Sequence, residues 1–316
     1  RHMENVTYDS TYLRGTITLD EPGRVILSIP YEDGWHIKIN GTEAECTMFG
    51  GALIALDLEP GEYTIEMNYV PEGKYVGITV SLISLVLFGV TALLGVWLTE
   101  RENPFNQMSL NRGLSFKQVL ISFFFAVAAL PLIAMLAEWN KGMEFPSFLA
   151  SVEEMMRQME ESAKMLTERF LNTSSVGMMF INLFVMAFLP AMCEEMLFRG
   201  WLQRVLVARV NYHVAIWVVA FVFSAIHFQF YGFVPRMLIG AALGYLYCYT
   251  GSLWAPIIAH FTNNAMAVIT AFLSYNGYTS IDFDLIGTGD TWYLSVASVA
   301  VCLALIGVVK RKLIEL

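Results

Sequence analysis

The chain has 316 residues, of which 56% are hydrophobic and only 15% are charged, and its net charge is −9. Soluble domains average about 25% charged residues, so this composition excludes an ordinary soluble domain and predicts a membrane protein with several spans. The negative charge gives no support for nucleic-acid binding, and no nucleic-acid partner is expected. The four cysteines show neither zinc-ligand nor disulfide-framework spacing.

Residues 1–75 differ from the rest of the chain because their apolar and polar residues alternate. The alternation is clear in Arg24–Ile29 and Tyr63–Tyr69, and turn dipeptides such as Asn40-Gly41 and Pro60-Gly61 separate the alternating runs. A period of two residues between strong turn signals is typical of antiparallel strands. This region is therefore predicted to be a small antiparallel β-sandwich.

Apolar stretches follow the β region and predict about seven membrane spans. They lie at about 76–98, 117–137, 176–193, 213–230, 233–250, 252–272 and 291–309. Several approach the length of about 20 residues that a bilayer core requires. The predicted fold class is mainly α, a polytopic transmembrane bundle preceded by the β domain. The expected domains are 1–75, a first transmembrane helix with its linker over 76–100, and a helical domain over 101–316.

The distribution of basic residues predicts how the chain is oriented in the membrane. If the β domain lies outside and the spans alternate, the inner loops hold nine basic and five acidic residues, and the outer segments hold the other ten basic residues with 23 acidic ones. Basic residues near span ends favour the cytoplasmic side. We therefore expect an extracytoplasmic β domain and a cytoplasmic C-terminus in the membrane bilayer.

Residues 147–171 have the pattern of an amphipathic helix that is too polar to span a membrane. The apolar side chains fall on one stripe, and most of the glutamates lie elsewhere. One interpretation is a helix that packs on the bundle or lies at the membrane interface. The other is a gate for substrate entry.

Two adjacent glutamates end the apolar run before residue 194, where ionisable groups are costly. Glu195 and Arg199 are four residues apart and can pair on one helix face. Glu194 is rotated by about 100° and is left free for another role. His260 and Asn264 repeat the four-residue spacing on a later span, and His227 ends an apolar run.

The positions of Glu194 and His227 predict that they meet at one depth in the membrane. If the helix through Glu194 continues to about Val207 and the chain turns near Asn211, the two residues lie 17 before and 16 after the turn. A carboxylate and an imidazole that face one water can activate it for attack on a peptide carbonyl. A second imidazole and a carboxamide can donate hydrogen bonds to an oxyanion. The residues Glu194, His227 and His260 could also hold a zinc ion, and the sequence leaves this alternative open, as it leaves open simple polar contacts between spans.

Three motifs in this order resemble the CPBP family of intramembrane proteases, which includes type II CAAX prenyl endopeptidases and Abi-type proteins. Glu194–Arg199 matches EExxxR, Phe223–His227 matches FxxxH and His260–Asn264 matches HxxxN. The resemblance covers about 115–275. It implies that Glu194 and His227 activate the water, that His260 and Asn264 bind the oxyanion, and that Glu195 and Arg199 support the site. The family is described both as metalloproteases and as glutamate-dependent proteases without a metal, and the second description is preferred here.

Residues 1–100 resemble the C-terminal end of YfhO-type bacterial membrane proteins, a soluble β domain followed by a last span. The resemblance rests on Asp33–Gly41, Leu58–Ile65 and Tyr69–Pro71. The resemblance implies a bacterial source and hence a location in the bacterial plasma membrane. Because the rest of such a protein is missing, the chain is expected to be a fragment of a fusion or a joining of two neighbouring proteins.

The sequence thus predicts an intramembrane endopeptidase that acts on a membrane-associated protein or peptide. The alternatives are a non-catalytic immunity or scaffold protein that keeps this fold, and a cell-surface glycan-related accessory role of the β domain. The sequence names neither the substrate nor the oligomeric state.

Overall fold

The computed structural model describes residues 2–8, 12–31, 34–70, 83, 85–100, 103–143 and 146–310. The start of the first predicted span, 76–82, and the basic C-terminal end, 311–316, lie outside the described residues. The chain divides into two compact units, Arg1–Val76 and Gly77–Leu316.

The first unit is a two-sheet antiparallel sandwich, which confirms the β prediction. Its strands are β1 (Glu4–Tyr8), β2 (Tyr12–Leu19), β3 (Gly23–Pro30), β4 (Trp35–Ile39), β5 (Thr42–Ala44), β6 (Thr47–Phe49), β7 (Leu53–Leu58) and β8 (Gly61–Tyr69). One sheet has the order β1-β2-β8-β4-β5 and the other the order β3-β7-β6.

The alternating pattern places one face of each sheet in a common apolar core. Ile17, Ile37 and Ile65 from the larger sheet pack with Ile54 and Leu56 from the smaller one. The Asn40-Gly41 dipeptide forms the predicted turn between β4 and β5, and both residues have a positive φ (51° and 81°). Two consecutive positive φ angles define the tight hairpin turn that Asn-Gly favours.

The second unit is helical. Its helices are α1 (Thr91–Glu100, preceded by the π-helical turn Leu85–Val90), α2 (Pro104–Gln107), α3 (Phe116–Lys141), α4 (Ala150–Leu171), α5 (Val176–Val207), α6 (Tyr212–Ala225), α7 (Phe233–Thr250), α8 (Trp254–Tyr275) and α9 (Trp292–Val309). Short 3₁₀ turns lie at Ser147–Leu149, Phe230–Gly232, Phe283–Leu285 and Gly289–Thr291.

Among the described residues, four helices are long and apolar enough to cross a membrane, namely α3, α5, α8 and α9 with the turn before it. The helix Leu85–Thr99 and α6 are apolar but shorter. The chain is therefore an integral membrane protein by length and composition, whereas the count of about seven spans stays a prediction.

Close helix packing in this unit depends on small residues. At Gly95 on α1, an added Cβ would lie 2.5 Å from the ring of Trp201 on α5, so a larger residue would force the two helices apart. The interface continues through Ala92, Val96 and Met196. The segment Met196–Gln203 of α5 thus packs against α1, α6 and α7, and the segment Leu183–Glu195 packs against α8.

Helix α4 is amphipathic, as predicted, and has no buried residue. Its apolar side chains, among them Phe148 just before it, Met155 and Met159, are exposed. Its polar side contacts the connection between α6 and α7.

Candidate active site

The glutamate pair lies where the geometry of α5 changes. The helix is π-helical over Leu183–Phe188 and again over Met196–Gln203, and the α-helical segment Leu189–Glu195 lies between them. Insertions of π geometry occur often at functional sites. Glu194 and Glu195 therefore end a regular segment and precede a turn of altered pitch.

Glu195 belongs to a fully buried ionic network. Its Oε1 lies 2.7 Å from Arg199 Nη1 and 2.8 Å from His260 Nδ1, and the side chains of Glu195 and Arg199 are 0% exposed. Arg199 also donates through Nη2 to the carbonyl of Gly240 at 2.7 Å. The i/i+4 pair predicted from the sequence is present, and it ties α5 to α7 and α8.

Glu194 is on a different face of α5 and is not part of that pair. Its side chain is 14% exposed, and Oε2 lies 3.9 Å from His260 Nε2, which is too long for a hydrogen bond. In the described part of the chain, the side chain of Glu194 makes no hydrogen bond. Its carboxylate is thus available to a water or a substrate beside His260.

Phe223 on α6 lies at the centre of the site and is 3% exposed. Its ring centroid is 5.2 Å from that of His227 and 5.9 Å from that of His260, and Arg199 Cζ lies 4.8 Å from it. On α7, a Cβ added at Gly240 would lie 3.1 Å from this ring, so glycine allows the close approach. Phe223 therefore fixes the spacing between the three motifs.

The hairpin predicted between α5 and α6 is present. Helix α5 ends at Val207, and Asn211 caps α6 by accepting a hydrogen bond from the N–H of His213. Arg199 and Phe223, which are in contact, lie twelve residues before and after Asn211. This contact agrees with the predicted turn near Asn211, whereas the meeting of Glu194 with His227 at one depth stays a prediction.

His227 lies two residues beyond the end of α6, in the connection to α7. The apolar stretch 213–230 is therefore only partly helical, because the chain leaves the helix at Ala225. His227 Nδ1 lies 2.7 Å from the carbonyl oxygen of Phe223. Since a carbonyl only accepts, Nδ1 carries the hydrogen, and in the neutral ring Nε2 then has the free lone pair.

His260 and Asn264 occupy one face of α8. His260 is 7% exposed, and its Nδ1 donates to Glu195. Asn264 is half-buried, and its Oδ1 accepts a hydrogen bond of 3.4 Å from Asn263 Nδ2. That contact leaves the amide NH₂ of Asn264 as a donor.

The zinc alternative requires several ligands around one ion. Among the described residues, no group of three His, Cys, Asp or Glu side chains is arranged to hold a metal. His260 Nδ1 and one oxygen of Glu195 are already committed to each other. The side chains Glu194, His227 and His260 thus do not fit a three-ligand site as they stand.

Two contributors to the site were not singled out from the sequence. Arg236, on the first turn of α7, is half-buried, donates to Gln229 Oε1 at 2.8 Å, and lies within electrostatic range of Glu194 and His227. Tyr231, which is buried, follows His227 in the connection. A cation inside an apolar run is itself a functional signal, so Arg236 could have been found from the sequence.

The fold and the site together define an integral membrane protein with a buried cluster of acid–base groups. Residues 176–266 match the family model described as type II CAAX prenyl endopeptidase Rce1-like, and residues 1–81 match the model of the bacterial membrane protein YfhO. All three motifs lie within the first match. The two resemblances stated from the motifs are confirmed, over segments shorter than the 115–275 and 1–100 expected.

Two curated proteins of Bacillus subtilis (strain 168) are similar to parts of the chain. The uncharacterized protein YpbD is 34% identical over 89 residues, which cover 27% of this chain and 43% of YpbD. The uncharacterized protein YfhO is 29% identical over 101 residues, which cover 32% of this chain and 11% of YfhO. The chain thus spans less than half of YpbD and about a tenth of YfhO. No solved structure matches it.

The match to the Rce1-like family model supports a protease-type enzyme.

Proposed function

We propose that the chain is an intramembrane endopeptidase that hydrolyses a peptide bond of a membrane-associated protein or peptide. The observation that carries the proposal is the unequal use of the two adjacent carboxylates. The side chain of Glu195 is committed to Arg199 and His260, whereas the side chain of Glu194 makes no hydrogen bond in the described part of the chain and lies beside His260. A structural glutamate pair would have no need of the second carboxylate.

In this proposal Glu194 and His227 activate the water. The carboxylate of Glu194 or Nε2 of His227 accepts one water proton as the water oxygen attacks the carbonyl carbon. The Phe223 carbonyl holds the proton on Nδ1 of His227, so Nε2 is the atom that can accept. The same proton then passes to the leaving amine as the carbon–nitrogen bond breaks.

Asn264 and His260 are proposed to stabilise the oxyanion. The free NH₂ group of Asn264 can donate in any protonation state. Because Nδ1–H of His260 points to Glu195, His260 can donate through Nε2 only when its ring is protonated at both nitrogens.

Glu195 and Arg199 are proposed to support the site without reacting. Arg199 balances the charge of Glu195 and anchors α7 through the Gly240 carbonyl. No step of the mechanism is routed through a metal, because the described side chains do not gather three ligands.

Identification of new protein termini in membranes that carry the chain tests the activity directly. Membranes that carry this chain are compared with membranes that carry Glu194→Gln, which keeps the side-chain shape and removes the base, and with His260→Ala. We expect new termini that appear only with the unaltered chain, and their sequences name the substrate and place the cut relative to the bilayer. Identical termini at equal levels of folded protein would instead favour a non-catalytic scaffold or immunity protein.

We also propose that residues 1–75 form an extracytoplasmic domain, that 101–316 carry the protease in a bacterial plasma membrane, and that the C-terminus is cytoplasmic. This orientation rests on the nine basic residues of the inner loops.

Cys46 provides a built-in reporter of this orientation. It is partly exposed, whereas Cys193, Cys248 and Cys302 are buried. We expect a membrane-impermeant maleimide to label intact cells at Cys46, with Cys46→Ser as the control. Burial raises the pKa of the Cys46 thiol, so the labelling should be done above pH 8. Labelling that appears only after the membrane is permeabilised would reverse the proposed orientation.

A further inference from the structure

The connection that carries His227 has an unfavourable backbone conformation. Phe228, the next residue, has a φ of 52°, in the left-handed region that bulky side chains rarely adopt. Such a conformation persists only where surrounding contacts hold it, and it is found most often at functional sites. The contacts that hold the loop Phe228–Gly232 therefore also hold His227.

Some of these contacts come from the hairpin that the loop connects. Ser224 Oγ on α6 donates to the carbonyl of Phe233 at 2.7 Å, and Arg236 on α7 donates to Gln229 Oε1. They fix the two ends of the loop and Gln229, and they lie within the segment that matches the protease family.

A second set of contacts comes from α4 and meets at Tyr231. Glu160 Oε2 accepts the backbone N–H of Tyr231 at 3.2 Å, and Glu153 Oε1 accepts its hydroxyl at 3.3 Å. The Arg157 guanidinium lies 4.7 Å from the centre of the Tyr231 ring and is bonded to Glu153 at 2.7 Å. Three consecutive turns of α4 thus hold one residue.

Another attachment of α4 lies near its C-terminal end, where the Phe170 carbonyl accepts a hydrogen bond of 2.6 Å from Asn182 on α5. Helix α4 has no buried residue, most of its apolar stripe is exposed, and it lies before the family-matched segment 176–266. Its polar side contacts Tyr231, which lies four residues after His227. A helix that packed on the bundle through its apolar stripe would bury that stripe instead.

We propose that α4 positions His227 by holding the loop Phe228–Gly232, and that Glu160 is the principal positioning residue. The proposal rests on the proposed function for its catalytic consequence, while its structural part stands alone. When the hydrogen bond from the Tyr231 amide to Glu160 breaks, the backbone at Phe228 can leave the left-handed conformation. The His227 ring then loses its fixed position beside Phe223. Helix α4 then couples its own position at the membrane surface to the rate of hydrolysis.

Hydrogen exchange of the full chain in nanodiscs tests the structural part. In Glu160→Ala, we expect the amide of Tyr231 to exchange about tenfold faster, since a hydrogen bond to a charged acceptor is lost. Glu160→Gln keeps an acceptor oxygen at this position and should restore most of the protection. Glu161→Ala removes an exposed carboxylate next to it on the same helix and should leave the loop unchanged.

Cleavage of the substrate found by its termini tests the catalytic part. We expect Glu160→Ala to lower kcat about tenfold with little change in KM, because the substrate contacts remain and the position of the imidazole is lost. Unchanged exchange in Glu160→Ala overturns the proposal. Faster exchange with unchanged kcat overturns the positioning of His227 and leaves only a structural contact. If the unaltered chain cuts no protein while the Tyr231 amide exchanges faster in Glu160→Ala, the proposed function fails. The structural part, in which α4 holds the loop Phe228–Gly232, then stands.

Discussion

Glu194→Gln and His227→Gln are each expected to lower the rate of peptide hydrolysis by about 10²–10⁴-fold, the range typical of a lost general base. Glutamine keeps the size of each side chain and removes the group that accepts the water proton. Neither side chain belongs to the buried Glu195–Arg199 pair, so both variants should remain folded. The rate of cleavage in nanodiscs, with folding followed by circular dichroism, measures the effect.

The double variant separates a shared step from two independent contributions. If both groups act on one water, Glu194→Gln with His227→Gln should be about as slow as the slower single variant, because effects of groups that act as a unit are far from additive. His213→Gln is the matched control. His213 lies in the first turn of α6, and His227 follows the other end of the same helix. His213 is exposed and contacts Tyr245 rather than the site. Full multiplication of the two single effects, or loss of activity in His213→Gln, would contradict the proposed mechanism.

The zinc alternative is decided in the same assay. The protein is treated with a strong chelator and dialysed against metal-free buffer before the assay. Hydrolysis that survives this treatment agrees with a water activated by Glu194 and His227. Loss of activity that returns on addition of zinc would require the three side chains to rearrange around an ion.

Local spacing was sufficient to predict the parts of this site that lie on one helix or one hairpin. A separation of four residues places Glu195 beside Arg199 whatever the rest of the fold does. The turn at Asn211 then sets the register of α5 against α6, so the contact between Arg199 and Phe223 follows from counting residues. The Asn40-Gly41 turn in the β unit is predictable for the same reason.

The parts that depend on packing between distant segments could not be predicted from spacing. The phenylalanine of the FxxxH motif appeared as a pattern match, and only the structure shows its ring against His227, His260 and Arg199. The polar side of α4 was recognised, but no sequence pattern says that Glu160 meets Tyr231, 71 residues away. Hydropathy does not set the number of spans for a related reason, because it does not show that α6 ends at Ala225.

Arg199→Met is expected to destabilise the protein by about 3–5 kcal/mol, the cost of leaving a buried charge without its partner. Methionine fills a similar volume, but Glu195 would then keep only His260 as a partner in a fully buried position. Glu195 Oε2 already has no hydrogen-bond partner among the described residues, so no second contact is present to compensate. The carbonyl of Gly240 on α7 would lose its donor as well.

A double-mutant cycle shows whether the charge or the packing is responsible. Adding Glu195→Gln to Arg199→Met removes the uncompensated charge, and we expect the double variant to regain most of the lost stability, since a buried pair can often be replaced at little cost. Arg209→Met, on the exposed connection after α5, is the control and should change the free energy of unfolding by less than about 0.5 kcal/mol. Titration with SDS in mixed micelles measures each value. A double variant as unstable as Arg199→Met alone would mean that Arg199 acts through its packing against Phe223 and its bond to Gly240, and that the charge of Glu195 is satisfied without it.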